Sequence, residues 1–170
     1  MDYFDLFDLP VQLQIDKELL RRRFFERSRA FHPDFFAQED EAAQADALER
    51  SAELNKAYKV LTDDDERIRY VLLEKGLMET EEKYPLDPEF LMEMMELNEQ
   101  LPEAGADEAS KAQLLQQLHQ WKNAIYAPVA NLVEHYQEGV TSAEELLQVK
   151  EFYYRKKYLQ RLAGQLGQKL

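Results

Sequence analysis

Hydrophobic residues recur along this chain at intervals of three and four, seldom of two. That period belongs to helices with one buried face, and it predicts an all-α protein. The segment from Asp2 to Leu9 predicts a short first helix ended by Pro10. Asp16 is placed to cap a second helix running to Phe31, with Leu19, Leu20, Phe24 and Phe31 at helical spacing. A third begins near Asp40 or Glu41 and carries Leu48, Ala52, Leu54, Ala57, Tyr58 and Leu61. Thr62 and Asp65 have capping-box-like spacing and open a fourth, with Ile68, Val71 and Leu72 facing inward. Gly76 is placed to stop it. Residues 1–76 thus read as a four-helix unit.

Residues 77–86 form a polar connection. Asp87-Pro88 is an N-cap followed by proline at the first helical position. The fifth helix runs to about Leu101 and is stopped by Pro102 and Gly105. The sixth spans Asp107 to Tyr136, with a kink at Pro128. Thr141 to Glu144 reads as the capping box of a seventh helix carrying Leu147, Tyr154, Tyr158, Leu162 and Leu166. Residues 87–170 read as a three-helix bundle.

Composition narrows the function classes. The chain has no Cys, which excludes disulfides, thiolate metal sites and Cys nucleophiles, and fits a reducing cytoplasm. No apolar run approaches the ~20 residues of a membrane span. No basic region precedes an apolar run at the N-terminus, so no secretory leader is expected. With 34 acidic and 21 basic residues the net charge is −13, which disfavours nucleic acid as a partner. The charge is uneven. Between Leu19 and Phe31 lie Arg21, Arg22, Arg23, Arg27 and Arg29 against Glu26 alone. A basic stripe on an acidic protein fits an acidic protein partner, or is a solvated helix face.

His32-Pro33-Asp34 follows that stripe directly. Pro33 cannot continue a helix and biases His32 away from helical geometry, so the tripeptide should form a tight exposed connection. It has no nucleophile or metal partner nearby, so it makes a poor catalytic fragment. The basic helix, the tripeptide and the following Leu54-Asn55-Lys56-Ala57-Tyr58 stretch together resemble the J-domain of DnaJ-type co-chaperones. The resemblance implies docking to a DnaK-class chaperone. His32, Pro33 and Asp34 would be the signal that stimulates its ATPase, and Arg21, Arg22 and Arg23 the electrostatic contacts. J-domains usually follow the tripeptide with a basic residue; here Phe35 and Phe36 follow. Arg27 also interrupts the apolar stripe between Phe24 and Phe31.

The fifth helix carries a second candidate site. At ~100° per residue, Phe90, Met94, Leu97 and Leu101 share one face, the expected core. The opposite face carries Met92, Met95, Glu96 and Glu99, with Leu91 at its rim and Glu103 beyond Pro102. Methionine is over-used at adaptable binding surfaces. The patch is either a site for a partner with an apolar spot and a basic rim, or packs beneath the connection or the first unit.

Phe90-Leu91-Met92-Glu93 and Glu96-Leu97 after a Cys-free J-domain resemble the HscB family, as does the opening Asp2-Tyr3-Phe4 with Leu6-Phe7 and Leu9-Pro10. That family implies a J-type co-chaperone of iron–sulfur cluster assembly, bringing the scaffold protein IscU to the DnaK-class chaperone HscA. It implies that IscU binds through Leu91, Met92, Met95, Glu96, Glu99, Glu103 and Phe152. Phe152 lies ~140° from Leu147 on the last helix, so exposure is possible, although Leu159 and Leu166 share its side. Tyr153-Tyr154-Arg155-Lys156-Lys157 departs from the family pattern.

His119 and His135 lack ligand-spaced partners, and Asp63-Asp64-Asp65-Glu66 lacks a calcium loop's glycine, so no metal or cofactor is expected. No catalytic constellation is evident, so the protein is not expected to be an enzyme. The alternatives are a J-protein with a different dedicated client, a J-like interaction scaffold without ATPase stimulation, and a metal-dependent helical enzyme.

Overall fold

The computed structural model describes residues 2–170. All regular secondary structure among them is helical, as the periodicity predicts. Helix α1 (Tyr3–Leu6) is capped by the Asp2 side chain. It delivers Phe4, and Phe7 just beyond it, into the core, both fully buried. Helix α2 (Lys17–Ala30) is capped by Asp16, which accepts from the backbone N–H groups of Glu18 and Leu19. Helix α3 (Glu41–Thr62) runs beside it, and Phe24 stacks on Tyr58 with ring centroids 4.2 Å apart. Helix α4 (Asp64–Glu74) completes this half.

A buried arginine ties the half together. Arg67 donates from Nε to the Leu13 carbonyl at 2.8 Å, from Nη1 to the Leu61 carbonyl at 2.7 Å, and from Nη2 to Asp64 at 2.8 Å. The segment before α2, the end of α3 and the start of α4 thus converge on one cation whose burial is offset by these bonds.

The second half contains α5 (Pro88–Glu99), α6 (Leu101–Ala106), α7 (Glu108–Tyr126), α8 (Ala130–Glu134) and α9 (Ala143–Gln165). The connection before α5 is strapped to α9. Lys150 is buried, and its Nζ donates to the Leu77 carbonyl and to Glu82, each at 2.8 Å. Tyr84 stacks on Tyr154 at 4.6 Å and donates to Glu151. The two halves share one continuous hydrophobic cluster running from Phe4 to Leu166. Across the join, the Asp65 carboxylate of α4 accepts from Lys156 at 2.6 Å and from Gln160 at 2.7 Å on α9. Lys75 pairs with Glu138 at the other edge.

Several expected boundaries move, each for a local reason. Thr62 ends α3, and Asp63 is the cap of α4, accepting from Asp65 and Glu66 N–H groups. Pro102 does not stop a helix: α5 ends at Glu99, and Pro102 sits in the first turn of α6, where its missing N–H costs nothing. Pro128 breaks the expected sixth helix outright. Residues 127–129 form a turn between α7 and α8, where Val129 N–H reaches back to the Tyr126 carbonyl at 2.9 Å. The capping box of α9 lies one residue later than expected, between Ser142 and Glu145. Thr141 is occupied elsewhere, its hydroxyl accepting from Gln137 N–H at 3.0 Å.

Three residues of the expected apolar stripes are exposed, Leu48 and Ala52 on α3 and Leu147 on α9. Leu48 is 62% exposed because the small Ala47 faces inward instead. Leu147 is likewise outside, with Leu146 and Val149 buried.

Candidate chaperone-docking and client surfaces

The first surface is built on α2 and the turn that follows it. Phe31 caps the end of α2, and Pro33–Phe36 form one 3-10 turn with Pro33 in its first positions. His32 is the N-cap of that turn. Its Nδ1 accepts from the Asp34 N–H at 3.2 Å. An accepting Nδ1 leaves the neutral ring's proton on Nε2. The Asp34 carboxylate lies 3.5 Å from the same Nδ1. Both side chains are exposed, so the tripeptide forms a preformed polar corner rather than a buried site. Gln44 on α3 fixes the far end of the loop by donating to the carbonyls of Ala37 and Glu39.

The structure separates the three arginines expected to act together. Arg21 and Arg22 are exposed. Arg23 turns back to the end of α1, donating to the Phe7 carbonyl at 3.2 Å and to the Asp8 carboxylate at 3.2 Å. Asp8 there adopts φ 53°, a left-handed conformation uncommon outside glycine, and Arg23 braces that turn. Arg23 is thus half-buried and committed in part to the fold, unlike its two exposed neighbours. The exposed stripe instead comprises Arg22, Phe25, Glu26 and Arg29, which line one shallow surface depression. The Arg21 guanidinium lies 5.5 Å from the Phe25 ring centroid. Phe25 was not expected there, yet it is four residues from each of Arg21 and Arg29, a spacing that puts all three on one face.

The second surface is on α5. Phe90, Met94 and Leu97 are buried on the bundle side, and Phe90 meets Trp121 edge-on at 5.9 Å. Met92 and Met95 are 66% and 60% exposed, so they do not pack beneath the connection. Glu96, Glu99 and Glu103 are exposed around them and Leu91 is half-buried. Among the described residues no cation pairs with these three carboxylates. Two flexible apolar side chains ringed by unneutralised carboxylates suit a partner with an apolar spot and a basic rim.

Phe152 does not join that face. It is 5% exposed, with its ring 5.5 Å from Tyr126 and the Lys156 ammonium 5.9 Å from its centroid. The expectation of an exposed Phe152 is corrected: it points inward with Leu159, the side that its shared spacing had already indicated.

Residues 2–70 match the DnaJ domain, and residues 86–167 match the HscB C-terminal oligomerisation domain. The chain is 33% identical over 164 residues to the co-chaperone protein HscB homolog of Bordetella avium, covering 96% of both chains. The chain belongs to the HscB family. It is a J-domain co-chaperone of that family, and its architecture is the family's own. It superposes on chaperone HscB from Vibrio cholerae with a TM-score of 0.76 at 29% identity, covering 98% of this chain and 96% of the other. On human co-chaperone protein HscB the TM-score is 0.81 at 27% identity, covering 98% and 81%. No described helix is long and apolar enough to cross a membrane.

Proposed function

We propose that this HscB-family chain stimulates ATP hydrolysis by a DnaK/HscA-class chaperone and delivers the iron–sulfur scaffold protein IscU to it, promoting cluster transfer. His32, Pro33 and Asp34 give the stimulating signal, and Arg21 and Arg22 steer an acidic chaperone surface onto α2. Leu91, Met92, Met95, Glu96, Glu99 and Glu103 hold the client. The observation that carries this reading is the pair of exposed surfaces of opposite charge on one continuous core. A basic corner on α2 and an acidic, methionine-bearing face on α5 are held together through α4 and α9. Binding both partners at once raises the client's effective concentration at the chaperone without any new contact. The chain's own residues perform no chemistry on ATP.

A single-turnover ATPase assay with the DnaK-class chaperone of the same organism tests the first half. Wild type should accelerate hydrolysis and His32→Gln should not. Equal rates for the two would leave a J-like interaction scaffold in place of a co-chaperone.

A further inference from the structure

The turn after α2 holds two adjacent aromatic residues with opposite fates. Phe36 is half-buried, while Phe35 is 69% exposed. Phe35 N–H donates to the His32 carbonyl at 3.0 Å, which fixes its backbone within the polar corner. Its ring stands edge-on to the His32 imidazole with centroids 6.3 Å apart. An apolar ring thus shares one exposed corner with His32 and Asp34. On the neighbouring helix, Phe25 is also exposed and supplies an apolar element among Arg21, Arg22 and Arg29. A fully solvated docking corner would need only charge. Aromatic side chains on a rigid turn are the chemistry of a desolvated contact, and they lose little conformational freedom on binding.

We propose that Phe35, seconded by Phe25, is an apolar anchor that selects a chaperone whose docking surface offers an apolar seat beside its acidic groups. This inference rests on the co-chaperone reading above. Its physical consequence is a shift in what holds the complex. A cation at position 35 would add an ion pair that salt screens, whereas a buried ring contributes by leaving water and is nearly insensitive to salt. The basic stripe then governs encounter, and Phe35 governs residence and partner choice.

The test is ATPase stimulation of the same organism's DnaK-class chaperone, titrated with wild type, Phe35→Ala, Phe35→Lys and His32→Gln at low and high salt. Circular dichroism melts check that the variants fold. Phe35→Ala should raise the half-maximal concentration by about tenfold, the range of a truncated interface anchor, with the rate at saturation retained. Phe35→Lys should also bind more weakly and with a steeper loss at high salt. Half-maximal concentrations like wild type in both variants, or a gain in Phe35→Lys, would overturn the anchor. A lowered rate at saturation with unchanged half-maximal concentration would also overturn it, because Phe35 would then only position His32. Failure of this inference leaves His32→Gln inert and wild type active. Failure of the co-chaperone reading leaves wild type and His32→Gln equal, and this inference falls with it.

Discussion

Asp65 on α4 and Lys156 on α9 meet at 2.6 Å, the shortest of the polar links that hold the J-domain against the C-terminal bundle at this edge. Burial of the Asp65 carboxyl pushes its pKa up. The hydrogen bonds from Lys156 and Gln160, with the charges of Lys156 and Lys157, outweigh that and hold it below the ordinary 3.8. A carboxylate whose folded-state pKa is depressed stabilises the fold fully above its unfolded value. That contribution drains away as pH falls through the lower folded value. Asp65→Asn should therefore cost about 2 kcal/mol at pH 7, and the difference from wild type should shrink as pH falls below 4. Urea unfolding at pH 7 and at pH 3 measures it. A difference that stays constant between the two would contradict the assignment.

The two sides of α5 should respond oppositely to truncation. Met94 is fully buried, so Met94→Ala should destabilise by about 2–5 kcal/mol, the range for core methionine. Met92→Ala and Met95→Ala should stay within about 0.5 kcal/mol of wild type, as exposed substitutions do, while weakening the client. Thermal melts beside a pull-down with the scaffold separate the two effects.

Phe152 gives a case where family-derived and structural expectations diverge. Its burial predicts that Phe152→Ala costs about 3–5 kcal/mol. Any loss of scaffold binding should then track the loss of folded protein. A variant that melts like wild type yet fails to bind would return Phe152 to the client surface.

Neighbouring arginines should also separate. Arg23→Ala removes backbone and carboxylate contacts at the end of α1 and should cost about 1 kcal/mol, with ATPase stimulation at saturation unchanged. Arg22→Ala should leave stability alone and raise the half-maximal concentration for stimulation. A stimulation assay paired with denaturant titration of both variants checks this.

The helical periods and caps made much of this legible. Asp16 and Asp87 cap the helices they were placed to cap, α3 starts where expected with Asp40 as its cap, and the buried face of α5 follows its spacing. What was not legible depends on competition between neighbours. Ser142 rather than Thr141 caps α9 because Thr141 binds the preceding turn, which a spacing rule cannot see. Arg23 looked like its two neighbours until the left-handed Asp8 turn gave it carbonyls to bind. The buried Lys150 and Arg67 answer to backbone carbonyls far away in sequence, and no local pattern announces such partners. Phe35 was visible as a departure from the J-domain pattern, but its exposure beside His32 needed the folded turn.

The central claim is that the α5 face holds the iron–sulfur scaffold. Calorimetric titration with the scaffold of the same organism tests it directly, comparing wild type with a Met92→Ala/Met95→Ala/Glu96→Ala/Glu99→Ala variant that melts like wild type. Saturable binding by wild type and its loss in the variant is the predicted result. Equal binding by both would place the client elsewhere on the molecule, and no binding by either would contradict the scaffold as client.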